Sequence, residues 1–334
     1  MSTKMKMLQI IGPGQYTIIN VDVPQVKDHE ILVQIKIVAT CPRWDLNMMG
    51  GTDMFDASKA LEYPLLPGWP GHEAAGIVKA VGSGVIGYQV GDRVASLEHI
   101  AGNGAYAEYL CYREHELIKL PDSISFKQAV SFELLKCVMI GLLQLGDLRG
   151  KSIVVSGLGP AGILALQMAR IWGASEVIGV DLSIERIRYV NELGIGEAMH
   201  PDEIGSRRFD LGYDCVGAAP SVQNLLRIVD RHVVVFGVLK GTVQYEDHLW
   251  FKGMKLESYQ YRRFNERDRE LLIDAVSSKG LNMECIQTHH VPFTQYQEAV
   301  ELLKSQTAIK VHFYPGTDFI SDGLGDDSQK GAVE

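Results

Sequence analysis

Short apolar runs and helically spaced segments alternate along the second half of the chain. Ile153-Val154-Val155 precedes apolar positions at helical spacing between Ile163 and Trp172, and a second run, Val177-Ile178-Gly179-Val180, follows. His232-Val233-Val234-Val235-Phe236-Gly237 repeats the strand signature, and the alternation holds over residues 152–262. Strand–helix alternation of this kind predicts βαβ units and a parallel sheet. The first 120 residues or so read differently. Residues 16–21, 30–38, 74–81, 90–94 and 105–112 are alternating or short apolar runs, punctuated by Gly12-Pro13-Gly14, Pro24 and Gly82-Ser83-Gly84. They predict a β-rich region. Helical spacing is expected over 126–145, 267–278 and 296–305, with a last strand at 309–314. The Gly/Asp/Ser-rich tail, 315–334, has no apolar period and is expected to be disordered.

A chain of 334 residues is longer than one core usually serves, so two domains are expected. The net charge of −9 argues against a nucleic-acid or anionic-membrane surface. No run reaches the length of a membrane span, and Met1 to Ile10 holds no long apolar segment, so a cytoplasmic chain is expected. Five scattered cysteines with no C-x-x-C pair read as reduced thiols, not a disulfide framework.

The most specific local signal is Gly157-Leu158-Gly159-Pro160-Ala161-Gly162, set between the first strand and the first helix of the alternating region. Asp181 closes the next strand, 19 residues after Gly162. This order of strand, glycine turn, helix, strand and acid is what a dinucleotide-binding unit requires. Gly157 permits the tight turn, Gly159 admits a pyrophosphate to the backbone, and Gly162 permits close packing of helix on sheet. The helix N-terminus offers free N–H groups and partial positive charge to the phosphates. Asp181 accepts from both adenine-ribose hydroxyls and repels a 2′-phosphate, so NAD is expected over NADP.

The order of further motifs resembles the medium-chain dehydrogenase/reductase superfamily, zinc-containing alcohol and polyol dehydrogenases in particular. The carriers are Pro70-Gly71-His72-Glu73-Ala74-Ala75-Gly76-Ile77-Val78, Val90-Gly91-Asp92-Arg93-Val94 and Gly104-Ala105-Tyr106-Ala107-Glu108-Tyr109. His290-Val291-Pro292-Phe293, with Glu298-Ala299 and Leu302-Leu303 behind it, extends the likeness to the C-terminal end. The resemblance implies an α/β protein with a GroES-like β-barrel catalytic domain over 1–134, completed by 271–314, around a Rossmann doubly wound parallel-sheet domain over 135–270. It implies a homodimer or homotetramer, a small-molecule alcohol or carbonyl substrate, and hydride transfer between a secondary alcohol of polyol, sugar or cyclitol type and NAD.

The resemblance also implies one catalytic zinc, with His72 as imidazole ligand, Glu73 as alternate ligand or neighbour, Cys41 as thiolate ligand and Glu133 close to the metal. Three of these have a plainer reading: His72 caps a turn, Cys41 is a buried structural cysteine, and Glu133 is an acid at a helix N-terminus. Cys41 departs from the family spacing, with four steps to Asp45 where relatives have three. No cysteine lies between residues 96 and 104, so a structural zinc is not expected. For the cofactor, the likeness places Phe236, Gly237 and Val238 beside the nicotinamide, Val216 near the cofactor's middle and Arg186 over the adenine or its ribose. It also implies Lys310 at the pyrophosphate. The family's hydroxyl–histidine proton relay has no counterpart, because Arg43 or Trp44 and Leu46 or Asn47 occupy its positions. Two other readings remain at this point: a zinc-free reductase of an activated C=C or quinone, and a non-catalytic nucleotide-binding protein.

Overall fold

The structure, a computed structural model, describes residues 4–56, 58–98 and 102–316. The expected tail therefore lies, from residue 317 on, outside the described residues. The chain divides into two compact units: Leu134–Ile286 forms one, and the segments on either side of it form the other.

The first unit begins with an antiparallel ribbon of β1 (Lys4–Gly12) and β2 (Gln15–Asp22). Its sheet is built on the antiparallel pair β3 (Ile31–Ala39) and β4 (Glu73–Val81), extended by β5 (Arg93–Ser96) and β7 (Leu117–Lys119). β6 (Tyr109–Tyr112) pairs with β3. Two of the expected strands are shorter than their patterns. Val90 is exposed and Gly91 turns at φ +95°, so β5 starts only at Arg93. Of residues 105–108, Ala107 makes an isolated bridge to Met7 and the ladder begins at Tyr109. Apolar residues of β3, β4 and β6 join Tyr106, Tyr296 and Phe313 in one core.

The second unit carries a six-stranded parallel sheet. In chain order its strands are β8 (Ser152–Ser156), β9 (Glu176–Val180), β10 (Glu197–Met199), β11 (Phe209–Asp214), β12 (Val229–Val235) and β13 (Lys255–Ser258). Their spatial order is β10-β9-β8-β11-β12-β13. This is the doubly wound Rossmann order, and its direction reverses between β8 and β11, where such sheets bind ligands. β8 reads as a continuous apolar run because both of its faces are covered.

The chain returns to the first unit at Gln287, later than the expected 271. The intervening segment is tied into the second unit: Gln167 Nε2 donates to the Asn282 carbonyl and the Tyr189 hydroxyl to that of Cys285. After the return, β14 (His289–His290) and β15 (Val311–Phe313) pair in parallel, and β15 adds to β3. The helix expected over 126–145 is two helices, Phe126–Ala129 and Phe132–Gln144. The break holds Ser131, which is fully buried and accepts from Gln287 Nε2 at 2.7 Å. Among the described residues, no helix is long and apolar enough to cross a membrane.

Candidate metal centre and nucleotide site

The metal candidates converge within the first unit. Cys41 is the N-cap of helix Pro42–Gly50, with Pro42 at its first position, where no N–H is missed. The Cys41 N–H donates to Asp45 Oδ2 at 2.8 Å, and Asp45 Oδ1 accepts from the hydroxyls of Tyr106 (2.6 Å) and Tyr296 (2.5 Å). The longer step from Cys41 to Asp45 is thus used to close the first helical turn around a buried carboxylate. His72 and Glu73 arrive at the start of β4, and Gly71 lets the chain pass close to Tyr106, whose backbone N lies 2.6 Å from where a Cβ would sit. Ser96 clamps this corner, donating to the His72 carbonyl and accepting from Ala74 N–H.

One ligand atom each of Cys41, His72 and Glu73 lies within 4.8 Å of the others. His72 Nδ1 is 2.7 Å from the Pro70 carbonyl and donates its proton there. That fixes the tautomer and leaves the Nε2 lone pair turned toward the acids. Nε2 is 3.9 Å from Glu73 Oε1 and 3.7 Å from Glu133 Oε2. All three side chains are buried.

Lys310, expected at a pyrophosphate, is fully buried with its Nζ 2.6 Å from Glu73 Oε1. Glu73 Oε2 has no hydrogen-bond partner. Burial pushes the Glu73 carboxyl up to about 7; Lys310 pulls it down and Glu133 pushes it further up. Burial likewise holds the Cys41 thiol up at about 12, with Lys310 drawing it down. A divalent cation inverts this logic, because a coordinated thiol loses its proton outright. An orphaned carboxylate oxygen, an oriented imidazole and a half-buried thiol are the O, N and S donors that zinc takes.

Aromatic rings border the cluster. The Trp44 ring centroid is 6.5 Å from that of His72, 5.1 Å from Trp69 and 5.9 Å from Phe55, all edge-on. Thr40 Oγ1 accepts from Val311 N–H, so this hydroxyl docks β15.

The nucleotide motif lies at the end of β8 in the second unit. Gly157 is in the left-handed region at φ +89°, and a Cβ on Gly162 would sit 1.7 Å from the Gly157 carbonyl oxygen. Nothing lies within 4 Å of the Cβ position of Gly159, the N-cap of helix Pro160–Ile171, so that side of the turn is open. Pro160 and Ala161 open this helix, which aims its N–H groups at the same space. Asp181 Oδ2 accepts from Leu158 N–H at 2.6 Å and Oδ1 from Ser183 N–H at 2.8 Å, which locks the acid beside the turn. Arg186 reaches back to Asp181, 3.8 Å away. Phe236 and Gly237 both donate their N–H groups to the Asp214 carbonyl. Gly237 has no room for a side chain, since a Cβ would meet Gly217 N at 2.2 Å. Val216 lies against Gly157, and Val238 follows at the same crossing.

The sequence did not point to Asp45 and Ser96 as supports of the metal centre, nor to Ser131 as the buried partner of Gln287. Asp45 carried a signal, an acid inside the apolar pattern of helix Pro42–Gly50. The two serines carried none.

Fold and site define a two-unit dehydrogenase, and comparison with known proteins agrees. Residues 27–122 match the alcohol dehydrogenase GroES-like domain, and residues 160–278 match the zinc-binding dehydrogenase domain. The chain belongs to the medium-chain, zinc-containing alcohol dehydrogenase family. It is similar to L-threonine 3-dehydrogenase of Francisella philomiragia, at 26% identity covering 90% of this chain and 95% of that protein. Alcohol dehydrogenase TADH of Thermus sp. ATN1 is 26% identical, with a TM-score of 0.78 over 92% of this chain and 99% of the other. The 2R,3R-butanediol dehydrogenase of Bacillus subtilis shares the fold at 20% identity, with a TM-score of 0.80 over 93% of this chain and 100% of the other. The protein is a zinc-type dehydrogenase that oxidises a CH–OH donor with NAD(P) as acceptor.

Proposed function

We propose that the protein interconverts a secondary alcohol of polyol, sugar or cyclitol type and its ketone, using NAD and one catalytic zinc per chain. The observation that carries this reading is the convergence of Cys41, His72 and Glu73, with Glu133 3.7 Å from His72. Cys41, His72 and a carboxylate supply the three protein ligands of a catalytic zinc site, which leaves one position for substrate oxygen. A zinc ion held there would supply Lewis acidity toward a substrate oxygen, and a bound nicotinamide would supply the hydride acceptor. The chain's own residues do the rest. Pro70 orients His72, Asp45 holds Cys41 at its cap, and Lys310 fixes Glu73 through Oε1, the oxygen 3.9 Å from His72 Nε2. Trp44 and Trp69 wall the site with apolar surface and limit water. The donor set favours this reading over a zinc-free C=C or quinone reductase, which has no use for a thiol, an imidazole and two acids in one place.

The preference for NAD rests on Asp181, fixed by Leu158 and Ser183 where the adenine ribose would lie. A 2′-phosphate there would meet a carboxylate, although Arg186 beside it softens the repulsion. A homodimer or homotetramer, proposed from the family likeness, is a separate question for light scattering. The test of function is a panel of vicinal diols, polyols, cyclitols and amino-alcohols such as threonine, assayed with NAD and with NADP. Turnover of a polyol or cyclitol with NAD supports the reading. Turnover confined to amino-alcohols, or NADP preferred, overturns the corresponding part. Asp181→Ala then narrows the NAD/NADP ratio by about tenfold or more if the ribose contacts are as described.

A further inference from the structure

A second group of nitrogen donors lies in the first unit, outside the cluster of Cys41, His72 and Glu73. His290 and His312 are register partners across the parallel pair β14–β15, so their side chains leave the same face. Their ring centroids are 5.6 Å apart. Tyr314 flanks both, its ring 5.5 Å from each. His290 is exposed, whereas His312 is 5% exposed and its Nδ1 is buried without a hydrogen-bond partner. A buried ring nitrogen left unsatisfied beside a solvent-facing imidazole needs an explanation, and an ion or water is the usual one. His289, the adjacent residue, is engaged elsewhere, with Nδ1 3.0 Å from Thr288 Oγ1.

We propose that His290 and His312 form a two-imidazole site for a divalent transition-metal ion such as Zn²⁺, Ni²⁺ or Cu²⁺. An imidazole nitrogen lies about 2.0–2.1 Å from zinc, and about 1.1 Å from its own ring centre. Two imidazoles on a tetrahedral ion therefore hold their centroids about 5 Å apart. The observed separation is close to that; the two rings stack at 29°, so the exposed His290 ring has to turn to bring a nitrogen toward His312 Nδ1. Burial, helped by His290 and Lys127, pushes His312 down to about 4, so at neutral pH it is an uncharged ligand. Imidazole suits these three metals, with Cu²⁺ bound most tightly, and hard cations such as Mg²⁺ are excluded by the absence of oxygen donors in the pair. The ion would clip the short β14 to β15.

The test uses the zinc-loaded enzyme, dialysed against micromolar Zn²⁺ and analysed for bound metal. About one more zinc per chain is expected in the parent than in His290→Ala, which keeps the catalytic equivalent and its activity. His290 is exposed, so its replacement is expected to leave folding intact. Cu²⁺ added to the same protein gives a second readout: an electron paramagnetic resonance spectrum with two-nitrogen coupling in the parent, reduced to one or none in the variant. Equal zinc content in parent and His290→Ala overturns the proposal, as does a copper spectrum that His290→Ala leaves unchanged.

Discussion

Removing the cation from the buried Lys310–Glu73 pair gives the sharpest energetic test of the metal centre's support. Both residues are fully buried and share a 2.6 Å contact across 237 positions of sequence. Lys310→Met keeps most of the side-chain volume but leaves the Glu73 carboxyl uncompensated in an apolar surround. Breaking a buried pair from one side costs about 3–5 kcal/mol, because the remaining carboxyl must either stay charged in an apolar surround or take up a proton. The second substitution, Glu73→Gln on the Lys310→Met background, removes that charge and recovers about half or more of the loss. Urea unfolding, followed by tyrosine and tryptophan fluorescence in the presence of chelator, measures both steps without metal masking them. If Lys310→Met shifts stability by less than about 1 kcal/mol, or the double variant is no more stable than the single, the pair is not the electrostatic support described.

Three further outcomes follow from particular contacts. Gly162→Ala places a methyl 1.7 Å from the Gly157 carbonyl, so the turn must open; NADH binding, read by fluorescence titration, is expected to weaken at least about tenfold, and unchanged affinity contradicts the packing role. His312, pushed down to about 4, binds fewer protons folded than unfolded, so its contribution to stability is present above its ordinary value of 6.5 and is lost as pH falls toward about 4. At most about 3 kcal/mol is involved, and His312→Gln is expected to flatten that limb of a pH–stability curve; an unaltered slope argues against it. Trp44→Ala, which removes the ring between His72 and Phe55, is expected to raise KM for the best alcohol substrate while leaving zinc content unchanged.

Local motifs were legible in the sequence because their geometry is made by neighbours. Gly157 to Gly162 needs only the strand before it and the helix after it, and Asp181 sits one strand away. The pattern for β8, β9 and β12 is read directly because each carries a buried apolar run, at residues 153–155, 177–180 and 233–235. The metal centre was legible as a set of residues through family likeness, but not as a geometry. Whether Cys41 reaches the cluster depends on Asp45 and on two tyrosines 61 and 251 positions further along the chain. No local spacing records that. Lys310 illustrates the same limit: the family likeness implied a pyrophosphate partner, and the acid its Nζ meets in the structure is Glu73. The broken helix at Ser131 and the return at Gln287 were illegible because long-range hydrogen bonds, not apolar period, decide them.

The central claim is that Cys41, His72 and a neighbouring carboxylate hold one catalytic zinc. Elemental analysis of the purified protein beside its Cys41→Ala variant tests it most directly. The account predicts about one tightly held zinc per chain in the parent, lost from the variant together with alcohol oxidation, while both still bind NADH. A folded, NADH-binding parent without zinc, or a variant that keeps its zinc, would contradict it.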